Sequence, residues 1–171
     1  KEQIELAIIQ FDSDVKVLRN PSLVKRGDRL PVLQVRGLNT NTVGAVRKAM
    51  SIIENRKIEH KMKGLSYYRP WIILLTDGNP THCSQSELQS LLYDVSHSIS
   101  ENKFMLTAIG IGNSVDKEFL SAISNNNYHR IGQANISTFF QALSASMTMK
   151  YGNDPQNNLS IELDNELQDD I

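Results

Sequence analysis

The chain has 171 residues, a net charge of −1 and an apolar fraction of 40%, which are ordinary values for one folded domain with a sizeable core. The near-neutral charge gives no electrostatic basis for binding nucleic acid, and no apolar run approaches the ~20 residues of a membrane-spanning helix. Cys83 is the single cysteine and cannot form an internal disulfide, so we expect a reducing compartment and a cytoplasmic protein.

Alternating apolar residues open the chain. Ile4 to Phe11 predicts a strand, Asp12-Ser13-Asp14 predicts a turn, and Val15 to Leu18 predicts a returning strand, which together make a hairpin. Pro21 to Arg36 has mixed charge and two prolines, and therefore predicts a loop.

A helix is expected to begin at Gly37 to Thr42. Apolar residues then recur three or four positions apart and give the helix one apolar face, formed by Val43, Val46, Met50 and Ile53. The stretch from Glu54 to Lys63 is mostly charged, and we interpret it as a solvated helix end and linker.

The stretch from Tyr68 to Thr81 organises the rest of the chain. Within it, Trp71 to Thr76 is an unbroken run of apolar or β-branched residues, which predicts a strand buried on both faces. Asp77 follows the carboxyl end of this strand, and ligands bind at such ends in open α/β sheets. Asp77 is therefore a candidate metal-binding or catalytic group.

Helices and strands alternate through the remaining sequence. The predicted elements are a helix with the capping-box residues Ser84 and Glu87, a buried strand from Phe104 to Ile111, a short helix from Asp116 to Ser124, an edge strand from Tyr128 to Ile131, and a last helix from Ile136 to Met149. This order predicts an α/β fold with a mostly parallel, doubly wound, Rossmann-like sheet over residues 1–150. Residues 151–171 contain six acidic residues and no basic one, so we expect a disordered tail there.

Leu75-Thr76-Asp77-Gly78 resembles the end of a strand in von Willebrand factor A (VWA) domains, which typically carries Thr-Asp-Gly. The longer stretch from Tyr68 to Thr81 is similar to the bacterial TerY-like branch, which is linked to tellurite resistance and chemical stress. The resemblance extends from Ile4 to Lys150. It implies a VWA-type fold and a protein-binding module, not an enzyme, in a bacterial stress system with kinase and phosphatase neighbours.

The resemblance also implies a metal site of the MIDAS type (metal-ion-dependent adhesion site). VWA domains bind a divalent cation such as Mg²⁺ through an Asp-x-Ser-x-Ser loop, a threonine loop and the Asp of Thr-Asp-Gly, and the ion accepts an Asp or Glu carboxylate from a partner protein. Leu38 to Ala45 is similar to the threonine loop, so the implied metal ligands are Thr40 and Asp77, with Thr42 as the second choice for the threonine. The alternative is that one of these hydroxyls only caps the helix.

The first metal loop does not occur in this sequence, because no Asp-x-Ser-x-Ser is found anywhere in it. Asp12-Ser13-Asp14 is not expected to replace the loop, since it forms a hairpin tip. The sequence begins with Lys1, and we expect that the family's first central strand and its loop lie upstream, have been lost, or come from another chain. Without that loop, the remaining oxygen ligands should bind Mg²⁺ weakly.

Two other functions remain open. A Mg²⁺-dependent phosphohydrolase of the haloacid-dehalogenase type would use Asp77 as its nucleophile, but it needs a second acid two positions later, where this chain has Asn79. A degenerate VWA scaffold would bind no metal. His82 and Cys83 offer two of the four ligands that a zinc site usually needs, so we interpret them as part of a surface loop.

Overall fold

The computed structural model describes residues 4–34, 39–112, 114–132 and 136–142. Their contacts divide the chain into two compact units. Unit 1 comprises Lys1–Tyr67 and Pro80–Leu91, and unit 2 comprises Tyr68–Asn79 and Leu92–Ile171. The predicted tail, residues 151–171, lies outside the described residues.

Unit 1 begins with the predicted hairpin, in which β1 (Glu5–Phe11) pairs antiparallel with β2 (Val15–Leu23). β2 is longer than predicted and runs through Pro21, which corrects the loop assignment there. Leu6 pairs with Ser22 and Ile8 pairs with Arg19, so β2 carries an extra residue at this point. A proline has no N–H group for a strand ladder, and a bulge is a position where a strand tolerates it.

Helix α1 (Thr42–Met62) follows the hairpin in unit 1. Its first turns bury Val43 and Val46 of the predicted apolar face together with Ala45, whereas Met50 and Ile53 of that face are half-buried. The charged stretch that we interpret as a solvated helix end and linker stays helical to Met62, and it also contacts the hairpin. Arg56 donates from Nε to Glu5 Oε2 at 2.7 Å, which ties the charged end of α1 to β1.

Unit 2 contains a parallel sheet in the order β3 (Trp71–Thr76), β4 (Met105–Ile111) and β5 (Tyr128–Ile131). Helix α2 (Gln85–Ser100) begins in unit 1 and ends in unit 2, and α3 (Lys117–Ser124) lies between β4 and β5 in the chain. Residues 136–142 are helical, which confirms the described part of the predicted last helix; residues 143–149 lie outside that part. The architecture is α/β and Rossmann-like, as predicted.

The core of unit 2 explains the burial of β3. Ile72, Leu74 and Thr76 are buried. Trp71, Ile73 and Leu75, which point to the other face, are only half-buried. The half-buried side chains pack against a cluster formed by Ile109, Ile131 and Phe139. β3 is thus fully covered on one face and partly covered on the other, which corrects the prediction of burial on both faces. Among the helices that the structure describes, none has both the length and the apolar character needed to cross a membrane.

Candidate metal-binding loops

Asp77 follows the last residue of β3 and is exposed. The Thr76 hydroxyl donates to the Gly78 carbonyl oxygen at 2.8 Å and shapes the turn around Asp77. Asn79 Oδ1 accepts a hydrogen bond from the Asp116 backbone N–H at 2.8 Å, so the loop is also tied to the start of α3. These contacts hold the loop in unit 2 while the carboxylate of Asp77 remains accessible.

Thr40 precedes α1 in unit 1 and is partly buried. Its N–H donates to Thr81 Oγ1 at 2.8 Å, and the Thr81 N–H donates back to the Thr40 carbonyl oxygen at 3.2 Å. Both bonds use only the backbone of Thr40. Neither bond therefore occupies the Thr40 hydroxyl.

Asn41 fastens the start of α1 to the hairpin tip. Its N–H donates to the Asp12 carbonyl oxygen at 2.8 Å, and its Nδ2 donates to the Ser13 carbonyl oxygen at 3.4 Å. Its Oδ1 accepts from the Gly44 N–H at 2.9 Å, so Asn41 is the N-cap of α1. A Cβ atom at Gly44 would lie 2.7 Å from that oxygen, which is why the cap requires glycine there. The alternative in which Thr40 or Thr42 caps this helix is therefore wrong.

Thr42 is the first residue of α1 and is only 1% exposed. Its Oγ1 is buried and has no hydrogen-bond partner within the described ranges. A buried hydroxyl without a partner costs about 1–3 kcal/mol, so such groups are uncommon in folded proteins. This buried oxygen without a partner keeps Thr42 as the second candidate ligand.

The donor set fits a hard cation. The candidate ligands are two hydroxyls and one carboxylate, and Mg²⁺ prefers oxygen ligands of these types. No group of three or more His, Cys, Asp or Glu residues with metal-binding geometry occurs in the part of the chain that the structure describes. Thr40 and Asp77 belong to different units, so their shared site stays a prediction.

Cys83 lies in the segment before α2 and is partly buried. Burial raises the pKa of its thiol, and the negative charge of Glu87 raises that pKa further. A raised pKa keeps the thiol protonated at neutral pH, and a protonated thiol is a poor metal ligand and nucleophile. The neighbouring His82 is exposed, in keeping with the predicted surface loop.

Sequence reasoning missed three residues that shape these loops, namely Asn41, Asn79 and Thr81. Each has a short polar side chain that accepts a backbone N–H. Asn79 and Thr81 flank Pro80, and short polar residues around a proline after a strand are a turn signal that could have identified them.

Comparison with models of protein families gave a match to the von Willebrand factor type A domain over residues 1–145. Comparison with curated proteins found no matching sequence. The matched span contains both candidate loops and all the strands described above.

Proposed function

We propose that this chain, which belongs to the von Willebrand factor type A domain family, is a protein-binding module that uses a divalent cation to hold its partner. VWA domains are generally protein-interaction modules and are mostly not enzymes. The finer proposal is that Asp77 and Thr40 are metal ligands and that the bound ion accepts an Asp or Glu carboxylate from the partner.

One observation carries this proposal. Thr40 exchanges two hydrogen bonds with Thr81, and Thr81 follows Asp77 by four residues in the chain. The partly exposed threonine and the exposed aspartate offer the hydroxyl and carboxylate oxygens that a hard cation needs. When bound, the ion would supply a positive charge for a partner carboxylate, while the two loops orient the ligands.

The edge of β3 supports a further part of the proposal. β3 pairs with β4, and no other strand among the described residues is hydrogen-bonded to it. Natural edge strands carry charges, prolines or bulges, whereas Trp71 to Thr76 is uncharged and rich in apolar residues like an interior strand. We infer that a further strand, followed by an Asp-x-Ser-x-Ser loop, pairs with β3 and completes the metal site.

The long stretch from Tyr68 to Thr81 supports placement in the TerY-like branch. On that basis the proposed setting is the bacterial cytoplasm, in a stress or tellurite-resistance system, and a kinase or phosphatase of that system is the proposed type of partner. Neither nucleic acid nor a membrane is a proposed partner.

The phosphohydrolase alternative has less support. Asn79 occupies the position of the required second acid, and its side chain is already engaged by the Asp116 N–H. An amide in that role cannot donate and accept a proton as a carboxyl group does. The metal-free scaffold differs from our proposal only in its metal dependence, so one titration separates the two.

The test is a titration with Mn²⁺, a paramagnetic substitute for Mg²⁺, in which electron paramagnetic resonance measures the free ion. The full chain should bind one ion weakly, with a Kd of about 1 mM, because two protein oxygens are few for an ion that needs six ligands. Asp77→Ala should abolish this binding. Glu101→Ala, which removes another exposed carboxylate of unit 2, should leave it unchanged.

Adding an apolar strand that ends in Asp-x-Ser-x-Ser should strengthen Mn²⁺ binding at least tenfold, on the order of 1.4 kcal/mol. Thr40→Val and Thr42→Val, each made in that extended chain, would show which threonine is the metal ligand, since only loss of a ligand weakens Mn²⁺ binding. Equal Mn²⁺ binding by wild type and Asp77→Ala would refute the metal site. Hydrolysis of p-nitrophenyl phosphate that disappears in Asp77→Asn would favour the enzyme.

A further inference from the structure

Large apolar side chains are exposed on the segment that follows β2. Leu30 is 57% exposed, Leu33 is 65% exposed and Val32 is 80% exposed. Soluble proteins rarely leave several such side chains close together in water unless a partner covers them. The segment from Val24 to Gln34 therefore presents an apolar surface in unit 1.

This segment is anchored at both ends. At its start, the Val24 N–H donates to the Ile4 carbonyl oxygen at 2.8 Å and continues the pairing of the hairpin. At its end, Gln34 exchanges two hydrogen bonds with the side chain of Gln10, at 2.7 and 3.0 Å. Between them, Gly27 has a φ of 85° and completes a turn. The exposed side chains thus stand on backbone that is held in place.

A groove of about 660 Å³ runs beside the segment. Its apolar lining is formed by Leu18, Leu23, Leu30 and Pro31. An ion pair between Arg19 Nη2 and Asp28 Oδ2, at 2.9 Å, contributes to the same lining. The groove is open to solvent and adjoins the exposed apolar residues, so an extended chain could lie along it.

The charges around this groove are mostly positive. Lys25 and Arg29 line it and Arg26 lies between them in the sequence, and among the described residues none of the three makes an ion pair as close as that of Arg19 with Asp28. Asp28 is the one nearby acid in the segment, and Arg19 neutralises it. The backbone N–H of Lys25 and then the Arg19 side chain lower the pKa of Asp28, so this carboxylate stays charged and bound to Arg19. Three cations and one carboxylate line the groove, so its net charge is positive.

We propose that this basic groove, lined by Leu18, Leu23, Leu30 and Pro31 and edged by Lys25 and Arg29, binds an acidic peptide segment of a partner protein that is rich in leucine or isoleucine. Apolar side chains of the peptide fill the groove, and its carboxylates lie against Lys25 and Arg29. A simple anion would use the charges but not the leucines. The interaction needs neither Asp77 nor a metal, so it goes beyond the proposed metal-dependent function.

The test uses the full chain in EDTA and a fluorescent synthetic peptide with the sequence Leu-Glu-Leu-Asp-Leu-Glu-Leu-Asp. Binding is followed by fluorescence anisotropy at low salt. Lys25→Glu combined with Arg29→Glu should weaken binding by about tenfold or more, because attraction becomes repulsion at both positions. Lys48→Glu combined with Lys61→Glu is the matched control with the same change in net charge, and it should bind like wild type.

The apolar half of the proposal has its own variant. Leu30→Ser combined with Val32→Ser removes two exposed side chains, so the fold should persist while peptide binding weakens about tenfold. Equal binding of a peptide with serine in place of leucine would reduce the interaction to charge attraction and overturn the proposal. Displacement of the peptide by inorganic phosphate at equal ionic strength would overturn it as well.

Other occupants of the groove would also overturn the proposal. Self-association of the chain in sedimentation velocity, lost in the Lys25→Glu/Arg29→Glu variant, would identify a second copy as the occupant. Tighter peptide binding by the full chain with Glu162→Gln and Asp164→Asn would identify the chain's own acidic segment. Because every measurement is made in EDTA, failure of the metal site leaves these outcomes unaffected.

Discussion

The contact between Glu5 and Arg56 should make a measurable contribution to the stability of unit 1. Arg56 donates from Nε to one carboxylate oxygen of Glu5, at 2.7 Å, and from Nη2 to the other. The two side chains are only 22% and 28% exposed. Nη1 of the same guanidinium bonds to Glu59, and His60 Nε2 lies 3.5 Å from Glu5 Oε2. Glu5 of β1 thus contacts the last turns of α1 through Arg56 and His60.

A double-mutant cycle with Glu5→Gln and Arg56→Gln measures this coupling. Exposed ion pairs contribute about 0.2–1 kcal/mol, and hydrogen bonds to charged groups contribute about 1.5–3 kcal/mol. For a bidentate pair that is about three-quarters shielded, we expect a coupling free energy of about 1–2 kcal/mol at pH 7. The free energies of unfolding come from urea titrations followed by circular dichroism.

The coupling should also depend on pH in one direction. The hydrogen bond from Arg56 lowers the pKa of Glu5 below its ordinary value of 4.5. The pair therefore contributes fully above pH 4.5 and loses its contribution as the pH falls through the lower folded-state pKa. Glu54 and Lys57, an ion pair on the same helix at 2.9 Å, provide the control cycle. Glu54 is 54% exposed, so its cycle should give about 0.5 kcal/mol or less. Equal coupling in the two cycles would refute the reasoning.

Three smaller changes test other contacts. Gly110→Ala places a Cβ 2.7 Å from Leu120 Cδ1, so it should lower the free energy of unfolding by about 1–3 kcal/mol in urea titrations. Ser84→Ala removes the hydroxyl that accepts the Glu87 N–H, so it should lower the melting temperature through a loss of about 1 kcal/mol. The thiol of Cys83, whose pKa is raised, should react with iodoacetamide at pH 8 more slowly than a free thiol does. Its own rate should increase as the pH is raised above 8, as followed by mass spectrometry.

The strands of unit 2 could be predicted because their signals are local. Pro70 and Gly78 bracket the run that forms β3, and β5 has the predicted bounds of Tyr128 to Ile131. The helix after Cys83 could be located for the same reason, since Ser84 and Glu87 exchange the two hydrogen bonds of a capping box. In each case neighbouring residues in the sequence determine the structure.

Contacts between distant residues could not be predicted in this way. The charged end of α1 has the composition of a solvated helix, and nothing near Arg56 in the sequence indicates that its partner is Glu5, 51 positions away. Likewise, Pro21 locally signals a loop, but the pairing of Leu6 with Ser22 keeps the chain in β2. Tertiary hydrogen bonds override the local preference at both places.

The two threonines show how far the structure refines the candidate site. Threonine and asparagine are both favourable N-caps, so the sequence alone does not decide which of Thr40, Asn41 and Thr42 begins α1. In the structure the N-cap is Asn41, whose Oδ1 accepts the Gly44 N–H, so neither threonine hydroxyl is used to cap the helix. A metal that takes a partner's carboxylate must lie where the partner can reach it. Thr40 is partly exposed and meets that condition, whereas the Thr42 hydroxyl is buried, so we propose Thr40 as the direct ligand.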